Sequence, residues 1–480
     1  MKRPVQDPAA ASQGPWAVIC LAASMLLASL GVSIANVALP ALAGAFAAPM
    51  SDVQWVVIAY LLSVTVLTVI AGRLGDRLGR GRVMAGGLLV FAVATVLCAL
   101  APTLPALIAA RAVQGLGAAV PMALAVALVR ETVAEDRTGR AMGLLGTMSA
   151  VGTALGPALG GALIAAFDWR AVFLALAPVA GLAALLASRV LPVAAPTARK
   201  PTGAFDLPGI VLLCLALTAY ALSMTLNGEA LGALNAMLLA VAAGATVAFV
   251  VVERRVATPL VDLSALRDPV LSTGLIATAL VSTVMMTTLV VGPFFLAFAL
   301  GLSAWQVGLV MSFGPVLAAL CGVPSGRLVD RCGADAVLRV GLAAMTLGAL
   351  ALAVLPAGVA GYLAGLVLLT PGYQLFQAAT MTRVMLKVAP GERGVVSGML
   401  SLSRNLGLIT GAAAMGAVFA VSVGTSDMAA ASASQVTEGL RTTFLLAAGA
   451  LLGALALVIL RGGGRTAQES RKSDKRGDRA

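Results

Sequence analysis

Apolar residues run through this chain in long blocks, not in the alternation of a half-buried sheet or the stripe of a surface helix. Fourteen blocks stand out, at about 16–39, 53–71, 83–101, 105–129, 141–166, 171–190, 208–226, 231–252, 270–298, 305–325, 336–355, 359–382, 394–422 and 442–460. Each is close to one bilayer crossing, since ~20 apolar residues rising ~1.5 Å each cover a hydrocarbon core ~30 Å thick. The glycines and prolines inside several blocks do not argue against helices, because membrane helices tolerate both. The pattern predicts an all-α integral membrane protein with fourteen spans.

Composition agrees: 60% of the 480 residues are hydrophobic and 11% charged. A net charge of +12 would suggest nucleic acid in a soluble protein, but its placement excludes that. With both termini in the cytoplasm, 28 of the 32 Lys and Arg fall in cytoplasmic segments. Outer loops hold Arg170 and Arg441; Arg111 and Arg404 lie inside spans. This asymmetry predicts a multi-pass protein of the cell (inner) membrane with cytoplasmic ends. The segment 1–15 is then a cytoplasmic N-terminus. The run from Trp16 to Leu39 is too long for a signal peptide, despite a cleavage-like Ala45-Phe-Ala47. Residues 461–480 are basic, poor in large apolar residues, and expected to be a disordered cytoplasmic tail. Five cysteines without paired spacing, no histidine and no Gly-Lys-Ser/Thr loop speak against a disulfide framework, a histidine metal site and a P-loop ATPase. No catalytic constellation is present, so neither an enzyme nor a bound cofactor or metal is expected.

The connection after span 2 reads Gly72-Arg-Leu-Gly-Asp-Arg-Leu-Gly-Arg-Gly-Arg82. It predicts a tight four-arginine loop, with Gly75 and Gly79 permitting the turn. Its spacing (Gly72, Asp76, Arg77, Gly79, Arg80) resembles the signature loop of the major facilitator superfamily. A second, weaker copy occurs at Gly326, Asp330, Arg331 and Gly333. Asn36-Val-Ala-Leu-Pro40, Gln54-Trp55, Trp169-Arg170 and Arg404-x-Leu-Gly407 add matches over most of the chain. The resemblance is to the fourteen-span drug:proton antiporter subfamily. It implies a six-helix half at 16–190, a linker at 191–207, two additional spans at 208–252, a cytoplasmic loop at 253–269 and a second six-helix half at 270–460.

Span 5 carries Gly152-x3-Gly156-Pro157-x2-Gly160-Gly161. Glycines every four residues line one helix face and admit a close neighbour, and Pro157 removes a backbone donor. The partner expected is span 10 near Gly308 and Ser312. The pattern resembles the antiporter motif of exporters. Span 4 carries Arg111-x-x-Gln114, and an arginine in hydrocarbon is a functional candidate by default; Asn36 is its expected partner. The resemblance implies that Asp76 latches onto the start of span 13 near Gly394, and that protons are the coupling partner. One departure stands out: Gly31 occupies the position at which the subfamily carries an aspartate. No acid lies in the middle of a span; Asp52, Asp168 and Glu229 lie near outer ends, and Asp52 is the substitute coupling candidate. Without that acid, neutral or anionic substrates are expected.

The substrate cavity is expected between the halves near the midplane. Candidates at helical spacing are Ser29, Ser33 and Asn36 on span 1, Thr283, Met286 and Thr287 on span 9, and Thr370, Tyr373, Gln374 and Gln377 on span 12. Arg404 is a candidate for coupling or substrate. The whole predicts a monomeric, proton-coupled exporter of small amphiphilic compounds. An importer or uncoupled facilitator on the same fold is the alternative.

Overall fold

The computed structural model describes the backbone except at 1–7, 134, 192–205, 226–231, 257–266, 356–357, 387, 389–392, 426–427, 429 and 478–480. Side chains are further undescribed at 8–14, 69, 73, 76, 135–136, 139, 207, 393–395 and 462–477. Among the described residues, fourteen helices are long and apolar enough to cross a membrane. In order these spans are Pro15–Phe46, Met50–Thr68, Arg80–Leu100, Leu104–Thr132, Arg140–Ala166, Trp169–Val190, Pro208–Thr225, Ala233–Glu253, Pro269–Ala299, Ala304–Cys332, Ala334–Val354, Gly358–Met385, Val396–Val423 and Ala433–Arg461. They are numbered 1 to 14 below. Large apolar side chains such as Leu100, Leu182, Val247, Leu320 and Leu460 face outward and are exposed, as lipid contact requires.

The arginine-rich connection is not a loop. The helix of span 2 continues through it to Leu78, and the next helix begins at Arg80. Gly79 alone makes the turn, at φ +92°. The second half repeats this: helix to Cys332, Gly333 at φ +81°, then helix from Ala334. Gly75 is not a turn residue. It lies inside the helix, where a Cβ would sit 2.8 Å from Leu124. Ion pairs brace both turns. Arg80 pairs with Glu131 at the end of span 4 at 2.5 Å, and Asp335 pairs with Arg383 near the end of span 12 at 2.8 Å.

The last helix also departs from expectation. Composition predicts a disordered tail from 461, yet the helix runs unbroken to Gly477. Extending a helix already nucleated in span 14 costs far less than starting one.

Burial distinguishes the two ends of the bundle. At the end carrying Asp168 and Ser303, one apolar cluster crosses between the halves, joining residues such as Leu42, Val57 and Phe173 to Phe294 and Phe444. Toward the end carrying Gly79 and Gly333 the halves fall into different clusters. Residues of spans 1 to 6, such as Leu128 and Ala187, form one; in the second half the crossing cluster continues to Val329 and Leu338 beside Gly333, and Leu271, Val384 and Val396 form a small third. The halves are therefore fused at the Asp168 end and separate at the Gly79 end. Spans 7 and 8 pack on each other, and span 7 touches both halves: span 2, where Trp55 Nε1 donates to Thr225 Oγ1 at 2.9 Å, and the Gly411–Met415 turn of span 13.

Candidate functional site

Span 5 fixes the geometry. A Cβ on Gly156 would lie 2.8 Å from Ser33 Cβ and 2.9 Å from the Ile34 amide. On Gly152 it would meet Leu30 N and Ser29 Cβ at 3.2 Å, and on Gly160 it would meet Ile34 Cγ1 at 3.0 Å. The every-fourth-residue seam thus packs on span 1 of its own half, not on span 10 as its motif suggests. Ser33 Oγ donates to Gly152 O at 3.1 Å, and Ser29 and Ser149 hydroxyls meet at 2.6 Å. Ser29 and Ser33 are consumed by this seam and do not line the cavity. The cross-half contact belongs to the last glycine. A Cβ on Gly161 would lie 2.9 Å from Gly308 Cα, and Gly308 meets Pro157 and Gly161 backbone in return. Spans 5 and 10 touch backbone to backbone here, at the Asp168 end. Toward the other end, Gly143 and Gly146 on span 5 and Gly322 and Gly326 on span 10 face nothing within 4 Å.

The space so left is a cavity of about 480 Å³, within the usual size range for small-molecule sites. Span 5 contributes Thr147 and Val151, span 9 Met285 and Thr288, and span 10 Met311 and Pro315. Thr370, Tyr373, Gln374 and Gln377 of span 12 line it, as does Arg404 of span 13. The expected span-9 residues do not. Thr283, Met286 and Thr287 are buried. Span 13 is the cause: a Cβ on Gly411 would sit 2.7 Å from Met286 Cβ, and one on Gly407 would sit 2.7 Å from Ser282 Cβ. The glycine pair, running into a π-helical turn at Gly411–Met415, draws span 13 against that face. The cavity sees the next residues round, Met285, Thr288 and Leu289. The four-residue spacing of Gly407 and Gly411 was the available signal.

The two embedded arginines differ in kind. Arg111 is fully buried. Its Nε donates to Val56 O at 2.9 Å, and Nη1 bonds Gln114 Oε1, whose amide nitrogen donates to Thr95 Oγ1 at 2.7 Å. The guanidinium lies 4.3 Å from the centre of the Tyr60 ring and 5.9 Å from that of Phe173. This is a strap between spans 2, 3, 4 and 6. Asn36, its expected partner, instead donates Nδ2 to Val32 O at 3.1 Å. Arg111 Nη2 has no hydrogen-bond partner. Arg404 is half-buried. Its Nε is buried without a hydrogen-bond partner, and its side chain faces the cavity.

The acids expected near outer ends are placed as follows. Asp168 caps span 6, accepting from Arg170 N at 2.8 Å and Ala171 N at 3.3 Å. Asp52 is exposed, with Ser51 Oγ donating to it at 3.2 Å. Glu229 and the Asp76 carboxylate, and with it the expected latch at the start of span 13 near Gly394, lie outside the described residues. Arg77 is half-buried on the continued helix; Asp330 and Arg331 are exposed beside Gly333. Gly72 faces nothing within 4 Å. Gly31 packs against Tyr60 Oη at 3.2 Å and Phe91 at 3.3 Å, measured from an added Cβ. Two buried acids escaped the sequence reading, Asp206 at 2% and Glu253 at 3% exposure. They converge on Gly209, whose amide donates to Asp206 Oδ1 at 2.9 Å. Their places at the very ends of spans 7 and 8 make them read as loop charges.

Two linked helical halves around a central cavity, fused at one end and parted at the other, are the architecture of a membrane transporter. The family model for the Major Facilitator Superfamily matches residues 21–412 and 274–479, and the chain belongs to that superfamily. Among similar proteins, the Riboflavin transporter RibZ of Clostridioides difficile is 28% identical, over 85% of this chain and 88% of the relative. Multidrug resistance protein Stp of Mycobacterium tuberculosis is 31% identical, over 84% of this chain and 75% of the relative. The fold is shared with a bacterial homologue of the lysosomal transporter Spinster in an inward-facing, unoccupied conformation. That match has a TM-score of 0.69 at 16% identity and covers 95% of this chain and 98% of the other.

Proposed function

We propose that this protein is a secondary-active exporter of small amphiphilic compounds, working as a monomer and exchanging substrate for protons by alternating access. The observation that carries the reading is the 480 Å³ cavity between the halves, closed at one end by the Gly161–Gly308 contact. The distribution of Lys and Arg supports placing the Gly79 end in the cytoplasm of a cell (inner) membrane. With that orientation the cavity faces the cytoplasm, the side from which an exporter loads. The span-5 glycine motif and a relative named for multidrug resistance support export over import. Mixed apolar walls with methionines suit loosely specified ligands.

The importer or facilitator reading is kept by one observation: among the described residues, no carboxylate lines the cavity. The test is loading of a chemically varied panel into inverted vesicles containing the protein, with and without an inward-acid proton gradient. Gradient-dependent accumulation of some members is expected. Equilibration to equal concentrations, indifferent to the gradient, supports the facilitator instead.

A further inference from the structure

Beside the main cavity lies a second lobe of about 170 Å³. Tyr373, Gln377 and Arg404 line both, so the two share a wall. The lobes differ in chemistry. The larger is walled mainly by apolar groups such as Met285, Leu289, Met311 and Leu366. The smaller collects the hydroxyl residues Thr278, Ser282, Thr380, Ser397 and Ser401. Arg404 is the single charged residue lining either, among the described residues.

Two donors of the small lobe are left open. Arg404 Nε is buried and unpartnered, and so is Oγ1 of Thr380, a residue only 5% exposed. Arg404 as a whole is half-buried, but its Nε and the Thr380 hydroxyl are withdrawn from water with no acceptor, and such unmet donors are costly. Arg111 shows the setting of an arginine that serves structure: its Nη2 also lacks a partner, but Nε and Nη1 are taken by a carbonyl and an amide, and two aromatic rings lie against the guanidinium. Among the described residues Arg404 has none of these, at the point where an apolar lobe meets a hydroxyl-rich one.

We propose that the two lobes form one site for anionic amphiphiles. A head bearing an anionic oxygen (carboxylate, sulfonate or phosphate) is held by Arg404 and Thr380, and the apolar body lies among Met285, Leu289 and Met311. This deepens the exporter reading by naming the substrate class, and rests on it for flux but not for binding. Guanidinium donates to an oxyanion in charge-assisted bonds, about twice as strong as neutral ones. Neutral analogues leave the same donors unmet.

The test uses a matched pair of fluorescent probes, 1-anilinonaphthalene-8-sulfonate and N-phenyl-1-naphthylamine, which differ by the sulfonate. Binding is measured to the full chain in nanodiscs, against protein-free discs. The wild type should prefer the sulfonate by about tenfold or more, the worth of one charge-assisted bond. R404Q should collapse that ratio to below about twofold, and R404K should retain part of it. A wild-type ratio near one, or a ratio that survives R404Q, overturns the proposal. Should R404Q fail to assemble, T380V replaces it: a several-fold fall in the ratio supports the site, and an unchanged ratio overturns it. Flux of both probes into proteoliposomes tests the exporter reading separately, because flux can fail for both while the binding ratio still decides the site.

Discussion

A methyl group at Gly308 should act as a wedge. An added Cβ there overlaps the Pro157 carbonyl and lies 3.0 Å from Gly161 Cα and 3.2 Å from the Pro157 carbonyl carbon. All of these are backbone atoms, so no side chain can rotate out of the way; one helix must retreat. Forcing extra volume into a packed contact costs about 1–3 kcal/mol. The cost falls only on the state in which spans 5 and 10 touch. The equilibrium between the two facing states should therefore shift by roughly 5- to 150-fold, since each 1.4 kcal/mol is about a factor of ten. Gly308→Ala should open the Asp168 end of the cavity. The assay is labelling of a reporter cysteine at Gln374, a half-exposed residue of the cavity wall, by a membrane-impermeant maleimide, in a background without the five native cysteines. Labelling from the outer face should rise and labelling from the cytoplasmic face fall, with protein levels maintained. Unchanged labelling from both faces would refute the claim that this contact seals the cavity.

Arg111→Lys replaces a planar group bonded to Val56 O and Gln114 with a point charge. It should destabilise the first half by about 1–3 kcal/mol, the cost of buried polar groups left unmet; an unchanged melting temperature in detergent rules out the strap. Glu131→Ala breaks an exposed pair and should cost under about 1 kcal/mol, whereas Arg383→Ala should cost more because the Arg383 side chain is only 11% exposed; equal losses in a thermal assay would count against this ordering. Gly31→Asp places a carboxylate against Tyr60, the ring that also stacks on Arg111. It should improve export of lipophilic cations, read as uptake of a cationic dye into energised inverted vesicles; no gain over wild type refutes the role given to the missing acid.

The spans were legible because each is a long apolar run, and the paired halves because Gly79 and Gly333 sit in repeated motifs. What stayed hidden was which face of each helix meets which neighbour. Thr283, Met286 and Thr287 have the polar spacing of a cavity wall, but Gly407 and Gly411 draw span 13 onto them. Gly156 has the spacing of a seam, and spacing alone does not say that the seam faces Ser33. Arg111 and Arg404 look alike in sequence. Their difference comes from partners contributed by other spans: Val56, Tyr60 and Phe173 around one, and an open lobe around the other.

The turns at Gly79 and Gly333 have a mechanical consequence. A joint of one residue has no slack. Helix meets helix across a backbone conformation that side-chain-bearing residues visit only at a cost of about 1–3 kcal/mol, and an ion pair ties each joint to another helix end. Spans 2 and 3, and likewise spans 10 and 11, are each a single bent lever. A rotation begun at one arm reaches the other almost undiminished, so displacement at the Gly79 rim can be delivered to the opposite end of the bundle. A longer, softer connection would dissipate that motion as local bending.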